Sequence, residues 1–542
     1  MSEVRVPDEV FVLHDDDDGR PAPARRGHTG FATPDVAVDL NPAGEGLEIH
    51  LSSPRRGLSR VALRWHDPLP EPALILGDAW ERSYGDLQWR HRQPDRVMPW
   101  YWLAHDPATG RTEGMGVRVR PAAFCSWNLD EDGVTLWLDV RNGAAPVEPG
   151  GRRLHAATVV RLGPRADVSP FAALTELCRA MCDDPLLPPE PVVGANNWYY
   201  AYGRDFGPGE VLRDAETIAD LAGGHPVRPF CVVDAGWSPG GGCPGGPWTA
   251  GLPGLFDDMP GLAAGIAAAG ARPGIWLRPA ALSVVDDPSR LRAGPRPVPE
   301  QPLDLSIPDN LHAIGADVRR LTGWGFELIK HDFSTYDHFA RWGFHMGRRL
   351  TEPGWALADR TVTNAEVLLS LYRTIRQAAG DALVLGCNTV GHLAAGLVHL
   401  QRTGDDTSGR FWERTRRMGV NTLAFRLAQH HTFFAVDADC VPCTPATPWE
   451  RNREFLDLVA RSGTALFVSV DPRARTAGVD ADLRAAVRIA LDGGVPGGVE
   501  PLDWLHTSSP RDWRTGDGHR RYRWLEPYGA GPLMDGTELL GL

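Results

Sequence analysis

Phe326-Glu327-Leu328-Ile329-Lys330-His331-Asp332-Phe333 is the stretch that decides the fold. Phe326, Leu328 and Ile329 give a buried strand its apolar body. Lys330 and Asp332 stand two residues apart, so at the strand's end they project to the same side. The chain carries 56 Lys+Arg, and Lys330 is the only lysine among them. Solvation and ion pairing elsewhere fall to arginine, so this position calls for a compact three-donor ammonium rather than a flat guanidinium. An ordinary strand-end ion pair is the plainer alternative, and it leaves that singularity unexplained.

Outward from this strand the pattern alternates strand and helix from about residue 192. The eight candidate strands are 192–198, 229–234, 272–277, 326–332, 383–387, 397–402, 432–437 and 464–470. Between them, Leu311, Ile314, Val318 and Leu321 follow helical spacing. Thr363-Asn-Ala-Glu366 reads as a capping box. Thr447-Pro-Trp-Glu450 repeats it, with Pro448 at the first helical position and Gly463 at the far end. Eight β-then-α units in about 300 residues predict an α/β fold, a (β/α)8 TIM barrel. A doubly wound sheet would want GxGxxG after its first strand, and Gly194-Ala-Asn-Asn offers none.

Before the barrel, short alternating segments recur: 36–40, 46–51, 61–65, 134–140 and 156–162. Turn residues punctuate them, which predicts an N-terminal antiparallel β-sandwich. A helix over 170–181 and the proline-rich 185–191 close it. After a last helix over 481–491, a small C-terminal β cap is expected around Trp504, Trp513 and Trp524. The expected units are 1–188, 189–492 and 493–542.

Composition narrows the class. At 542 residues the chain exceeds a single core. Its 42% hydrophobic and 23% charged content is that of a soluble globular protein. A net charge of −13 with no basic block argues against nucleic acid and anionic membranes as partners. Asp15–Asp18 reads as a solvated loop, without the alternating ligand spacing of a calcium site. No apolar run reaches the roughly 18–20 residues of a spanning helix, and the N-terminus lacks a signal-peptide h-region, so a cytoplasmic location is expected. The eight scattered cysteines fit reduced thiols. Cys440-Val-Pro-Cys443 has no second CxxC, so no metal and no cofactor is expected. The 19 tryptophans suit sugar faces as well as a core.

In a barrel the reactive groups stand at the C-terminal strand ends. In order these are Asn196, Asn197 and Trp198; Asp234 and Trp237; Trp276 and Arg278; Lys330 and Asp332. Then follow Cys387 and Asn388; Arg402, Asp405 and Asp406; Asp437 and Asp439. Several carboxylates, hydroxyl-binding donors and aromatic walls suit glycoside chemistry, where an acid and a nucleophile or base flank the scissile bond. There is no His/Glu metal cluster, phosphate loop or serine elbow.

These segments resemble glycoside hydrolase family 36, in the clan of retaining α-galactosidases. Lys330-His-Asp332-Phe333 resembles the family's Lys-x-Asp-Phe, whose aspartate is the nucleophile. Leu385-Gly-Cys387-Asn388 and Arg402-Thr-Gly-Asp405-Asp406-Thr407 are similar to its Gly-Cys stretch and Arg-x-Gly-x-Asp-Thr. Phe433-Phe-Ala-Val-Asp437-Ala-Asp439-Cys440 is similar to its Asn-Asp-Pro-Asp-Cys segment, and Val233-Asp234-Ala235-Gly-Trp237 to Asp-Asp-Gly-Trp. The likeness spans roughly 190–470. It implies a retaining exo-α-galactosidase with Asp332 as nucleophile and Asp406 as acid/base. It also implies sugar contacts from Asp234, Trp237, Trp276, Lys330, Cys387, Asn388 and Arg402.

One position departs. Ala235 stands where the family usually has a second aspartate that holds O4 and O6. That opens a second expectation: a clan relative acting on another glycoside, for instance an L-arabinopyranoside without a C6 group, or transglycosylating. A non-catalytic carbohydrate-binding protein is the third, and the intact carboxylates, lysine and arginine argue against it. The partner expected is a small glycoside or oligosaccharide, and homo-oligomerisation stays open. Asp405 is the rival acid/base. Asp439 reads as a structural loop residue, and His331 and His392 as packing. Trp80 and Tyr84 could lean from the sandwich onto the mouth or belong to its core.

Overall fold

The structure, a computed structural model, describes residues 1–14, 19–71, 73–296 and 300–530. Asp15–Asp18, read above as a solvated loop, lies outside the described residues.

A curled parallel sheet of nine strands forms the centre of the fold. In spatial order the strands are Ala435–Asp437, Leu400–Arg402, Leu383–Gly386, Leu328–His331, Arg272–Leu277, Phe230–Val233, Val193–Asn196, Leu466–Val470 and Val441–Cys443. Each of the eight predicted strands contains one of these; 272–277 is matched in full and the other seven are trimmed. Val441–Cys443 is the ninth and was not predicted. Pro442 at its centre removes a ladder donor and argues against a strand. It is tolerated because this strand pairs on one side only, with Leu466–Val470.

The strands are apolar on both faces, as a parallel sheet covered by helices requires. Val192, Phe230, Val232, Leu328, Leu383, Leu385, Leu400 and Phe467 pack inside the curl as one cluster. Their alternates, such as Val193, Ile275, Ile329, Val384 and Val468, belong to the larger core beneath the helices. Gly194 leaves room for this interior, since a Cβ there would meet the Phe467 ring at 2.7 Å.

The helices follow their signals unevenly. Thr363 and Glu366 form the expected capping box on Asn364–Ala379, and Gly463 ends Trp449–Ser462 in the left-handed region. The second capping box does not form. Pro448, not Thr447, is the N-cap of Trp449–Ser462, and no side chain caps that helix. The Thr447 hydroxyl instead takes a hydrogen bond from Asn452.

N-terminal to the parallel sheet lie two antiparallel sheets, of six and nine strands. The helix Pro170–Met181 links them to it. A three-stranded antiparallel sheet spans Val499–Arg521. All eight cysteines are free thiols. Among the described residues no helix is long and apolar enough to cross a membrane.

Candidate active site

Period-two alternation carries the strand Leu328–His331 into its site. Leu328 faces the interior and Ile329 the helices, so Lys330 faces inward again. Asp332 follows on the same side. Both line a cavity of about 550 Å³ at the C-terminal ends of the parallel strands, with Asp234, Trp276, Asp405 and Asp406. Trp198, Tyr199, Phe333, Tyr336 and Trp342 supply aromatic walls.

Asp332 is held on three donors. Its Oδ1 accepts from Phe333 N at 2.7 Å and Asn388 N at 3.1 Å, and its Oδ2 accepts from Trp276 Nε1 at 3.1 Å. Phe333 itself lies in the left-handed region, φ 61°. For a non-glycine residue this costs about 1–2 kcal/mol. Burial alone would raise the Asp332 pKa. The charges of Arg82 and then Lys330 outweigh it, and the carboxyl lies below its usual range.

Lys330 does not bond Asp332. Its Nζ donates to Asp234 Oδ2 at 2.6 Å, and that oxygen also accepts from Asn196 Nδ2 at 2.5 Å. Burial works against the ammonium, and Asp234 overrides it and keeps it charged. Asn197 orients Asp234 by accepting from its backbone N at 2.9 Å. The strand-end asparagines thus support Asp234 rather than line the cavity.

The adjacent aspartates differ sharply. Asp405 is buried, and its two oxygens pair with Arg82 at 2.9 Å and Arg414 at 2.8 Å. Burial raises its pKa. Asp406 keeps a third of its side chain exposed, and its Oδ1 accepts from Arg402 at 3.0 Å and Arg82 at 3.4 Å. Among the described residues nothing donates to its Oδ2. Burial opposes ionisation here too, yet Arg402, Arg82 and Arg414 bring the Asp406 carboxyl down to about 2.

Other expected contacts take different places. Trp237 is fully buried behind the wall, and its Nε1 donates to Trp276 O at 2.9 Å. Cys387 belongs to the apolar interior below the mouth. The Asn388 side chain reaches Glu81, and only its backbone N touches Asp332. Arg402 lies behind Asp406 and joins it to Asp439, at 2.9 Å. Asp439 also accepts from Thr407 N at 2.6 Å, so it anchors the loop that carries Asp406. Asp437 is buried near Arg402, and burial pushes it to about 6. His331 and His392 are buried as packing residues. Tyr84 lines the cavity, whereas Trp80 packs against Trp100 and Phe124.

Sequence reasoning missed Arg82 and Glu81, both on the segment Asp78–Gly85. In a chain whose cations are arginine save one, nothing marks a single arginine. It also missed Trp342, Cys243 and Glu300, which line the mouth from long connections.

No family model matches the chain, and no curated protein matches it. Solved structures do. The α-galactosidase TtGalA from Thermus thermophilus, in complex with p-nitrophenyl α-D-galactopyranoside, is 18% identical. It superposes at a TM-score of 0.59 over 90% of this chain and 96% of that one. A variant of the GH36 α-galactosidase AgaA from Geobacillus stearothermophilus, bound to 1-deoxygalactonojirimycin, gives 14% and 0.55, over 89% and 71%. The galactosidase domain of the α-galactosidase–sucrose kinase AgaSK gives 14% and 0.55, over 84% and 66%. The chain has the fold of the GH36 α-galactosidases. At these identities the likeness is one of architecture.

Proposed function

We propose that this chain is a retaining, exo-acting glycoside hydrolase for terminal α-galactosides. The observation that carries the reading is the pair Asp332 and Asp406 facing one aromatic-walled cavity. One carboxylate is held ionised by cations and donors, and the other presents an oxygen to which nothing among the described residues donates.

In the first step an Asp332 oxygen bonds to the anomeric carbon while the glycosidic C–O bond breaks. The proton of Asp406 goes to the leaving oxygen. In the second step Asp406, now a carboxylate, takes a proton from water as the water oxygen bonds to that carbon. The ester to Asp332 breaks and the sugar leaves with its original configuration. Asp406 is ionised in the free site at neutral pH. A sugar that covers its exposed third strips away water and favours the neutral acid. Lys330 and Asp234 form a donor–acceptor pair for hydroxyls at the cavity floor, and Trp276 offers a wall. Arg402 acts through Asp406, Asn388 through Asp332, and Trp237 through Trp276. Cys387 closes the floor.

We read the parallel sheet as a closed (β/α)8 barrel. A parallel bridge between Asp437 and Ala465, with Ala465 N donating to Val436 O at 2.9 Å, supports the closure. The units are then an N-terminal sandwich over 1–188, the barrel over 189–492 and a cap from 493.

Ala235 favours a second reading. It lines the cavity beside Asp234 and offers no acceptor there. A pyranoside without a C6 hydroxyl, such as an L-arabinopyranoside, would lose nothing at that place. A panel of p-nitrophenyl glycosides tests all of this. Turnover of the α-D-galactoside supports the first reading, and preference for the L-arabinopyranoside the second. Binding of sugars without turnover of any would leave a carbohydrate-binding protein.

A further inference from the structure

The parallel sheet does not complete its own mouth. The segment after the strand Leu74–Gly77 crosses from the N-terminal sheets and is stitched to the end of Leu400–Arg402. Ser83 N donates to Thr403 O at 2.9 Å, and Asp405 N donates to Ser83 O at 2.8 Å. Arg426 holds the segment from the other side, donating to Glu81 O at 2.5 Å and Ala79 O at 3.1 Å and pairing with Asp78 at 2.7 Å. Gly85, at φ 70°, passes so close that a Cβ would stand 2.7 Å from Arg417 O.

These contacts deliver Arg82. Its side chain is 7% exposed and spans Asp405 and Asp406 with its two terminal nitrogens. It lies over the rings of Tyr84 and Trp342, at 5.7 and 5.3 Å. The rings and carboxylates leave the guanidinium one orientation, and a planar fork is the shape that serves two carboxylates at once.

We propose that Arg82 is a positioning residue that bridges Asp405 and Asp406 and supplies positive charge to the cavity it lines together with Asp332, so that the N-terminal sheets complete the site. This rests on the hydrolase reading above. The cations that face Asp406 are Arg402 from the strand that precedes it, Arg414 from the helix Trp412–Thr415, Lys330 from the strand beyond Leu383–Gly386, and Arg82. Asp405 and Asp332 face it as anions, and Tyr199, Tyr202 and Cys243 as neutral groups. Among the charges acting on Asp332, Arg82 comes first, ahead of Lys330. One guanidinium therefore favours ionisation of both carboxylates. Without it, both bind protons more readily. Catalysis needs Asp332 ionised and Asp406 protonated, so both limbs of the pH profile move together.

The test is kcat and kcat/KM against pH for the full chain, Arg82→Met and Arg82→Lys, on whichever aryl glycoside the wild type turns over. Melting temperatures are recorded alongside. Arg82→Met is expected to shift both limbs upward by about 1 pH unit, the lower end of what a neighbouring opposite charge imposes. Its kcat also falls. Arg82→Lys is expected to restore the limbs but not kcat, because a single-centred ammonium on a shorter stem does not reproduce the planar fork that reaches both carboxylates from two nitrogens. If Arg82→Met does not fold, Arg82→Gln removes the charge with less loss of hydrogen bonding and carries the same comparison. Limbs that stay in place, with activity falling only as the folded fraction falls, overturn the inference and leave the hydrolase reading intact. A wild type that turns over no glycoside overturns both.

Discussion

Lys330 Nζ donates to Asp234 Oδ2 at 2.6 Å, past the end of the intervening strand Arg272–Leu277, and not to Asp332 two residues away. The only lysine therefore acts as a point donor wedged against one carboxylate oxygen that Asn196 also occupies. A guanidinium is too wide and flat for that corner. Displacing a group by about 1 Å at a reacting centre can cost on the order of 10²-fold. Lys330→Arg is expected to lose most of kcat/KM, nearly as much as Lys330→Met, while its circular dichroism stays native. Near wild-type rates in Lys330→Arg would reduce the lysine to a counter-ion.

Asp332→Asn keeps the size of the side chain and removes the nucleophile. Turnover is expected to vanish while the protein still folds and binds sugar. Azide added to Asp332→Gly should yield a glycosyl azide of inverted configuration, identified by NMR. Full activity in Asp332→Asn would remove the central assignment.

Double displacement returns the original anomer. Proton NMR in the first minutes of hydrolysis is expected to show that anomer before mutarotation. In a sugar-bound crystal structure the Asp332 and Asp406 carboxyls should lie about 5–5.5 Å apart. An inverted first product would exclude the mechanism.

Trp276 and Trp237 separate a contact from its support. Trp276→Phe removes the donor to Asp332 Oδ2, and kcat should fall as the acid limb moves to higher pH. Trp237→Phe removes only a bond to the Trp276 backbone, so it should cost stability more than activity. Chemical denaturation beside steady-state kinetics checks both, and the reverse ordering would contradict the placement.

Away from the mouth, Asp214 links folding to pH. It is buried on the helix Pro208–Ala222, accepts from the Tyr200 hydroxyl at 2.5 Å, and burial pushes it from 3.8 to about 7. The fold favours its neutral form. That contribution is whole below pH 3.8 and is lost as pH rises through about 7. By linkage its ceiling is about 4 kcal/mol. Asp214→Asn should be more stable than wild type at pH 8 and lose the advantage at pH 4. Parallel urea curves at both pH values with no change in the difference would rule this out.

The strands were legible because burial on both faces writes continuous apolar runs, and Leu328-Ile329 is one of them. Asp332 and Lys330 were legible because they end such a run. The ninth strand was hidden by Pro442, and the failed cap at Thr447 by a competing partner, Asn452. Trp237 shows the limit of reading roles from strand ends: a large ring there can face the neighbouring strand's tryptophan instead of the cavity. Arg82 was illegible because it reaches the site from over 300 residues away in sequence, through backbone pairing that no local pattern announces.

The buried, paired state of Lys330 has a consequence for protease chemistry. A protease that cuts only after lysine has a single target bond in this chain, at Lys330-His331. That bond lies at the end of a central strand, with Lys330 only 8% exposed. Folded protein should resist such an enzyme, and each molecule that opens there should fall into two pieces, 1–330 and 331–542. Appearance of those two bands therefore counts opening events at the floor of the site, one cut per molecule.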